Sequence, residues 1–234
     1  MKKYLTIYHD LLGDIQTKKY RSGEILPSNQ QLVMRYRVSR ETVRKSMQLL
    51  ADEGYIQTIR GKGSLVLEKK RYLFPVSSIK SYKEIVADSG LKSINRVLKI
   101  QDHVLVPKRL RFGSPVMYAQ LIVRERIVNG IPTILDYDYI NEDVANEIPK
   151  EAAEDSLFSY FESQLGLTVD YAVKHLTVES AEYDDCDRLK IDQSMPMVVV
   201  RSETHLTDSR ILSYTESRHR ADKFSSVEFA RRHH

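Results

Sequence analysis

The stretch from Ser28 to Leu67 constrains this chain more than any other, because it holds two helix starts, one helix stop and a glycine-rich hairpin in a fixed order. Ser28-Asn29-Gln30-Gln31 fits a Ser-x-x-Gln capping box, in which the Ser28 hydroxyl accepts from the backbone of Gln31 and Gln31 reaches back. That helix carries Leu32 and Val33 and runs to about Tyr36. Arg37-Val38 is a turn. Ser39 caps a further helix whose buried face is Val43, Met47 and Leu50, and Gly54 ends it where a left-handed residue is needed. Tyr55–Ile59 and Ser64–Leu67 alternate like strands around Arg60-Gly61-Lys62-Gly63. An earlier helix, Ile7 to Lys18, repeats Ile7, Leu11 and Ile15 at helical spacing. Helix, helix, recognition helix and basic wing in this order predict a winged helix-turn-helix.

Charge agrees with that reading. Residues 1–73 carry 15 Lys+Arg against 7 Asp+Glu, and the remainder carries 21 against 25, although the whole chain is only +4. A basic first third joined to an acidic remainder points to a polyanion partner for the first third. A solvated basic surface is the alternative, and the motif order decides between them. The other face of the third helix carries Glu41, Arg44, Lys45 and Gln48, and its first turn Ser39, Arg40 and Thr42, residue types that reach bases and phosphates.

Length sets the rest of the plan. At about 150 residues per domain, 234 residues favour two small domains. No apolar run approaches the ~20 residues that cross a bilayer. The first residues show no secretory signal, and one cysteine, Cys186, fits a reducing compartment, so a cytoplasmic protein is expected. No Cys-x-x-Cys or paired-histidine pattern supports a metal. The terminal His233-His234 gives no metal evidence.

Ile25-Leu26-Pro27-Ser28, Tyr36-Arg37-Val38-Ser39-Arg40-Glu41-Thr42-Val43-Arg44-Lys45, Leu49–Ile56 and Arg60–Ser64 resemble the DNA-binding domain of GntR-family bacterial transcription regulators. Asn29 stands where the family often has Glu. The resemblance implies Ser28, Ser39, Arg40, Thr42, Arg44, Lys45, Arg60, Gly61, Lys62 and Gly63 as DNA-contacting positions.

The domains are expected at 1–70 and 71–234, with a charged linker over 68–76. The second domain mixes elements. A helix is predicted over Tyr82–Ser89, ended by Gly90, and a strand over Ile94–Ile100. A strand over Val116–Val128 turns at Asn129-Gly130 into Thr133–Ile140. A helix begins at Asp155-Ser156 and runs through Leu165, and a long strand covers Thr168–Glu179. A short acidic helix covers Ala181–Lys190, and a final hairpin pairs Met197–Leu206 with Ile211–Arg220. This is an α+β domain around an antiparallel sheet.

No catalytic signature occurs: there is no Gly-x-Ser-x-Gly, no dinucleotide fingerprint and no metal-binding helix. Two features point to a polar ligand. Arg124 and Arg126 share one strand face and offer planar forks of donors to a phosphate or carboxylate. Cross-strand ion pairs to Asp136 or Asp138 explain the same spacing, slightly better on spacing alone. The run Tyr214–Asp222 mixes hydroxyls, a carboxylate and cations, as sugar recognition requires, or dresses an edge strand with charge.

Residues from about 75 onward resemble the effector domain of the HutC-type branch of the same family, a non-enzymatic fold similar to chorismate lyase. Arg124-x-Arg126, Asn129-Gly130, Asp155-Ser156-Leu157 and Tyr214-x-Glu216 carry the match. Within that branch, Phe74–Ser77, Leu135-Asp136-x-Asp138-Tyr139, Tyr214–Phe224 and Phe229–Arg232 are similar to the trehalose-operon repressors of Gram-positive bacteria. That implies trehalose 6-phosphate as effector, its phosphate held by Ser81, Tyr82, Lys83, Arg124 and Arg126. The sugar would be read by Asp136, Ser156, Tyr160, Glu216 and His219, with Phe158 as a stacking surface. The resemblance also implies a homodimer on a palindromic operator. An amino-sugar phosphate as effector, and a sugar-phosphate enzyme fused to a DNA-binding domain, remain the alternatives.

Overall fold

In the computed structural model the described residues are 2–67, 79, 81–89, 92–114 and 117–226. The linker over 68–76, Gly90, Val116 and the run Phe229–Arg232 lie outside them. The described residues fall into two compact units, which are taken separately.

In the first unit, helix α1 (Lys3–Gln16) turns Ile7, Tyr8 and Leu11 inward. It starts four residues earlier than the apolar stripe indicates, because its first turn is amphipathic only at Leu5. Helix α2 (Asn29–Tyr36) begins at the expected capping box: Gln31 N donates to Ser28 Oγ at 3.3 Å and Ser28 N to Gln31 Oε1 at 2.8 Å. The turn after it passes through Arg37 at φ 49°. Helix α3 (Arg40–Asp52) is capped by Ser39, whose Oγ accepts from Thr42 N at 3.2 Å. Strands β1 (Ile56–Ile59) and β2 (Gly63–Val66) pair antiparallel, with Ile59 opposite Gly63, so Arg60-Gly61-Lys62 forms the tip of the wing. Leu11, Leu32, Val43, Leu50 and Ile56 are fully buried together, and this shared core fixes the helices against the hairpin.

In the second unit, helix α4 (Tyr82–Ser89) precedes strand β3 (Ser93–Leu105). A short 3-10 helix, Lys108–Leu110, leads to β4 (Tyr118–Val128) and β5 (Ile131–Asn141). The helix expected from Asp155-Ser156 is α6 (Leu157–Ser163), and a further short helix, α5 (Lys150–Asp155), precedes it. Ser156 breaks them because it is extended, at φ −160°, and its hydroxyl accepts from Ser159 N to start α6. Strand β6 (Val169–Ser180), helix α7 (Tyr183–Leu189), and strands β7 (Pro196–Leu206) and β8 (Ile211–Arg220) complete the unit. The six strands form one antiparallel sheet in the order β3-β4-β5-β8-β7-β6.

Strand alternation gives this sheet two different faces. One packs Leu121, Val123, Leu135, Val199 and Tyr214 against Leu189 of α7. The other packs Ile122, Ile140 and Leu212 against Leu157 and Phe161 of α6. Side chains of the second parity that are not in this core line a cavity.

Candidate functional site

The cavity of the second unit has a volume of about 180 Å³. Its floor is the α6-side face of the sheet, and α4 and α6 contribute Tyr82, Phe158 and Phe161 to its walls. At one end stand two arginines from β4 and two aspartates from β5. The pairing is diagonal: Arg124 lies opposite Asp136 in register but closes on Asp138, with Nε at 3.0 Å and Nη2 at 2.8 Å. Arg124 Nη1 donates to the carbonyl of Ala153 at 3.1 Å. Arg126 Nε donates to Asp136, and its Nη1 to Asn95 Oδ1 at 3.2 Å. Its guanidinium carbon lies 3.9 Å from the centroid of the Tyr82 ring, a cation–π contact. All four charged groups are under 8% exposed.

Spacing alone therefore favoured the correct partners, since both arginines are ion-paired across the hairpin. The carboxylates that hold these buried guanidinium groups also fix the direction of their remaining donors. Burial pushes Asp136 up, but Arg126 and Arg124 together outweigh it and hold its carboxyl below the usual range. Asp138 goes the other way, raised by burial despite Arg124. His219, beside them on β8, is driven down to about 4 by burial, so it is a neutral imidazole at pH 7.

The remaining predicted effector residues divide. Ser81 is buried and starts α4, exchanging bonds with Glu84: Ser81 N donates to Oε2 at 2.6 Å and Glu84 N to Ser81 Oγ at 3.2 Å. Ser81, Lys83, Ser156 and His219 line the cavity with Tyr82, Arg124, Arg126 and Asp136. Lys83 Nζ is also tied to Asp155 at 2.6 Å near the rim.

Glu216 and Tyr160 do not line the cavity. Glu216 lies on the opposite face, because Thr215, Ser217 and His219 take the cavity side of β8 and leave residues 214, 216 and 218 for the α7 side. There Glu216 accepts from Arg109 Nε at 3.0 Å and Arg201 Nε at 2.6 Å. Its neighbour Arg218 closes on Asp185 of α7, with Nη2 at 2.7 Å. Tyr160 does not line the cavity either; it packs with Phe161 on the α6-side core. Sequence reasoning picks out the run that holds Thr215 and Ser217 as suited to a sugar, but misses three further cavity hydroxyls, Ser202, Thr204 and Ser213. Thr215 Oγ1 donates to Asp138 Oδ1 at 3.1 Å. Ser202, Thr204 and Ser213 are reached only through strand parity, carried across the sheet from Arg124 and Asp136 by register.

In the first unit the predicted DNA-contacting residues form an exposed surface. Ser28, Ser39, Arg40, Arg44, Lys45, Arg60, Gly61, Lys62 and Gly63 are exposed, and Thr42 is half-buried. Asn29 and Gln30 of α2 border one surface hollow with Arg40, Glu41 and Arg44 of α3. Glu41 holds Arg44 by two bonds, at 2.8 Å to Nε and 2.7 Å to Nη2. Ser28 and Ser39 cap helices, and Ser39 Oγ lies 2.8 Å from Thr42 Oγ1. Gly63 has its own structural reason: at φ 109° a Cβ would stand 2.9 Å from Ile25 Cγ2. Among the described residues no cluster of His, Cys, Asp or Glu is placed to hold a metal, and no helix is long and apolar enough to cross a membrane.

The gntR family of bacterial regulatory proteins matches residues 3–66, and the UTRA domain matches residues 89–225. The chain is 40% identical over 235 residues to the HTH-type transcriptional regulator TreR of Bacillus subtilis (strain 168), covering 99% of this chain and 98% of that protein. The effector-binding domain of the B. subtilis trehalose repressor superposes with a TM-score of 0.51 at 35% identity, covering 60% of this chain and 99% of that one. The possible transcriptional regulator YydK of B. subtilis shares the fold, with a TM-score of 0.80 at 22% identity, covering 99% and 100%. A winged helix-turn-helix with exposed cations, a cavity-bearing antiparallel sheet, and these similarities together make the chain a DNA-binding transcriptional regulator that belongs to the GntR family and carries a UTRA domain.

Proposed function

We propose that this protein is a cytoplasmic, homodimeric repressor that leaves a palindromic operator when its cavity binds a sugar phosphate, trehalose 6-phosphate. In this reading residues 1–70 bind DNA, and residues 71–234 bind effector and supply the dimer contact. The carrying observation is the cavity itself: two buried arginines aimed by two aspartates at one end of a hydroxyl-bearing sheet face. Arginines fixed in this way suit a phosphate, and paired carboxylates and hydroxyls suit a sugar. The related B. subtilis effector-binding domain belongs to a trehalose repressor, which supports the choice of sugar.

The roles follow the geometry. Arg126, stacked on Tyr82, and Ser81 at the start of α4 take the phosphate, with Arg124 and Lys83 adding positive potential. Asp136, Ser156 and His219 take hydroxyls of the first ring. On DNA, Arg40, Arg44 and Lys45 of α3 enter the major groove and Arg60, Gly61, Lys62 and Gly63 of the wing lie along the backbone, with Ser28, Ser39 and Thr42 at phosphates. Two copies read half-sites about one helical turn or a multiple apart. Effector and operator weaken each other by the same factor, as linkage requires.

Thermal unfolding of the full chain with trehalose 6-phosphate, trehalose and glucosamine 6-phosphate tests this. A ligand at 100 times its Kd adds about 2.7 kcal/mol to the native state, a shift of several degrees. A shift with trehalose 6-phosphate alone supports the proposal. A larger shift with glucosamine 6-phosphate moves the assignment to an amino-sugar phosphate, a reading that the buried carboxylates Asp136 and Asp138 would favour. No shift with any of the three overturns the effector assignment.

A further inference from the structure

The cavity floor continues well past the arginine end. Strand register places Asp138 on β5 opposite Thr215 on β8, Thr215 opposite Ser202 on β7, and Ser202 opposite Lys174 on β6. This is an unbroken polar row across four adjacent strands. At about 4.8 Å per strand it spans three spacings, about 14 Å. The next row beside it pairs Ser213 with Thr204, both buried. All six side chains line the cavity. The adjacent row on the other side turns apolar at Val200, so the polar path has a defined direction, away from Arg126 and toward β6.

A sheet face packed under a helix normally carries apolar side chains, since a buried hydroxyl without a partner is costly. Here four hydroxyls of β7 and β8 replace them in a cavity whose lining also includes Phe158 of α6. A polar floor under an aromatic wall suits a pyranose ring, whose hydroxyls point outward and whose C–H face is apolar. The path is longer than one ring, and the reading above assigns the first ring to Asp136 and His219.

We propose that Ser202, Thr204, Ser213 and Thr215 form a second hexose subsite, with Lys174 at its far end. The cavity is thus built for a disaccharide phosphate, and these four hydroxyls decide its preference over a monosaccharide phosphate. The inference rests on the sugar-phosphate reading above and adds the residues that measure ligand length.

Calorimetric titration of the full-length protein with trehalose 6-phosphate and glucose 6-phosphate separates the two readings. Wild-type protein binds the disaccharide phosphate at least tenfold more tightly. Ser202→Ala with Thr204→Val removes two hydroxyls at little change in volume and lowers trehalose 6-phosphate affinity tenfold or more. Affinity for glucose 6-phosphate stays within twofold, which also reports that the variant is folded. Ser202→Phe fills the subsite and abolishes only the disaccharide's advantage. Equal affinity of wild-type protein for both ligands, or equal losses for both in the variants, overturns the subsite and leaves the sugar-phosphate reading standing. Unchanged trehalose 6-phosphate affinity in both variants also overturns it. Failure of wild-type protein to bind either ligand overturns the sugar-phosphate reading and the subsite with it.

Discussion

In residues 2–67 no charged side chain among those described is buried, whereas in residues 79–226 Arg124, Arg126 and Arg218 are each under 8% exposed and ion-paired. The first unit keeps an apolar core and turns its cations outward. The second draws guanidinium groups inside, at the cost of desolvating them and their carboxylates. A surface cation is held loosely enough to be claimed by phosphates of any duplex. A buried guanidinium fixed by a carboxylate has one geometry, and so can select one small anion. Long flexible lysines and arginines suit the first task, and paired arginines on a rigid sheet suit the second.

Four experiments break or sharpen this contrast. The largest effect belongs to Arg218→Met, which leaves Asp185 buried without its guanidinium partner. It is expected to cost about 3–5 kcal/mol in chemical unfolding of the second unit. A loss under about 1 kcal/mol would show that the internal charges behave like surface ones. Next is His219. Its folded pKa of about 4 lies below the unfolded value of 6.5, so its contribution is present above pH 6.5 and lost as pH falls through 4. Stability measured from pH 7 to 4 should fall by about 3 kcal/mol from this group, and His219→Gln should remove that part of the slope.

The third experiment concerns the other unit. Arg40→Ala should weaken operator binding by about 1–3 kcal/mol and relax preference at one base pair, while Lys62→Ala should weaken all duplexes alike and lower the salt slope by about 1. Both should leave the melting temperature nearly unchanged, as exposed positions do. A changed sequence preference in Lys62→Ala would make the wing a base reader. The smallest effect is Ser28→Ala, which removes one cap of α2 and should cost about 1 kcal/mol of stability in the first unit.

The same contrast governs what could be read in advance. Helices α2 and α3 announce themselves because their signals are local: Ser28 and Gln31 lie within one turn, as do Ser39 and Thr42. The strands β4, β5, β7 and β8 were found within two or three residues of their ends by alternation. Alternation gives parity but not which parity faces a ligand. Glu216, which the resemblance implies as a sugar reader, lies one residue from two cavity hydroxyls and so on the opposite face of β8. Ser202 and Thr204 carry no local signal at all, since their significance lies in opposing Thr215 and Ser213 across a sheet. Ser156 looked like a helix start and is one, but the preceding turn of helix, Lys150–Asp155, was missed because Ala152 and Ala153 are its only apolar residues.

Strand β8 carries both halves of the second unit's polarity. Its cavity side is Thr215, Ser217 and His219, and its other side is Glu216 and Arg218, locked to Arg201 and Asp185. Sliding β8 by one residue would exchange the two sets, burying Arg218 under α6 and breaking every ion pair behind it. The strand can therefore tilt or travel with its neighbours, but it cannot change gear.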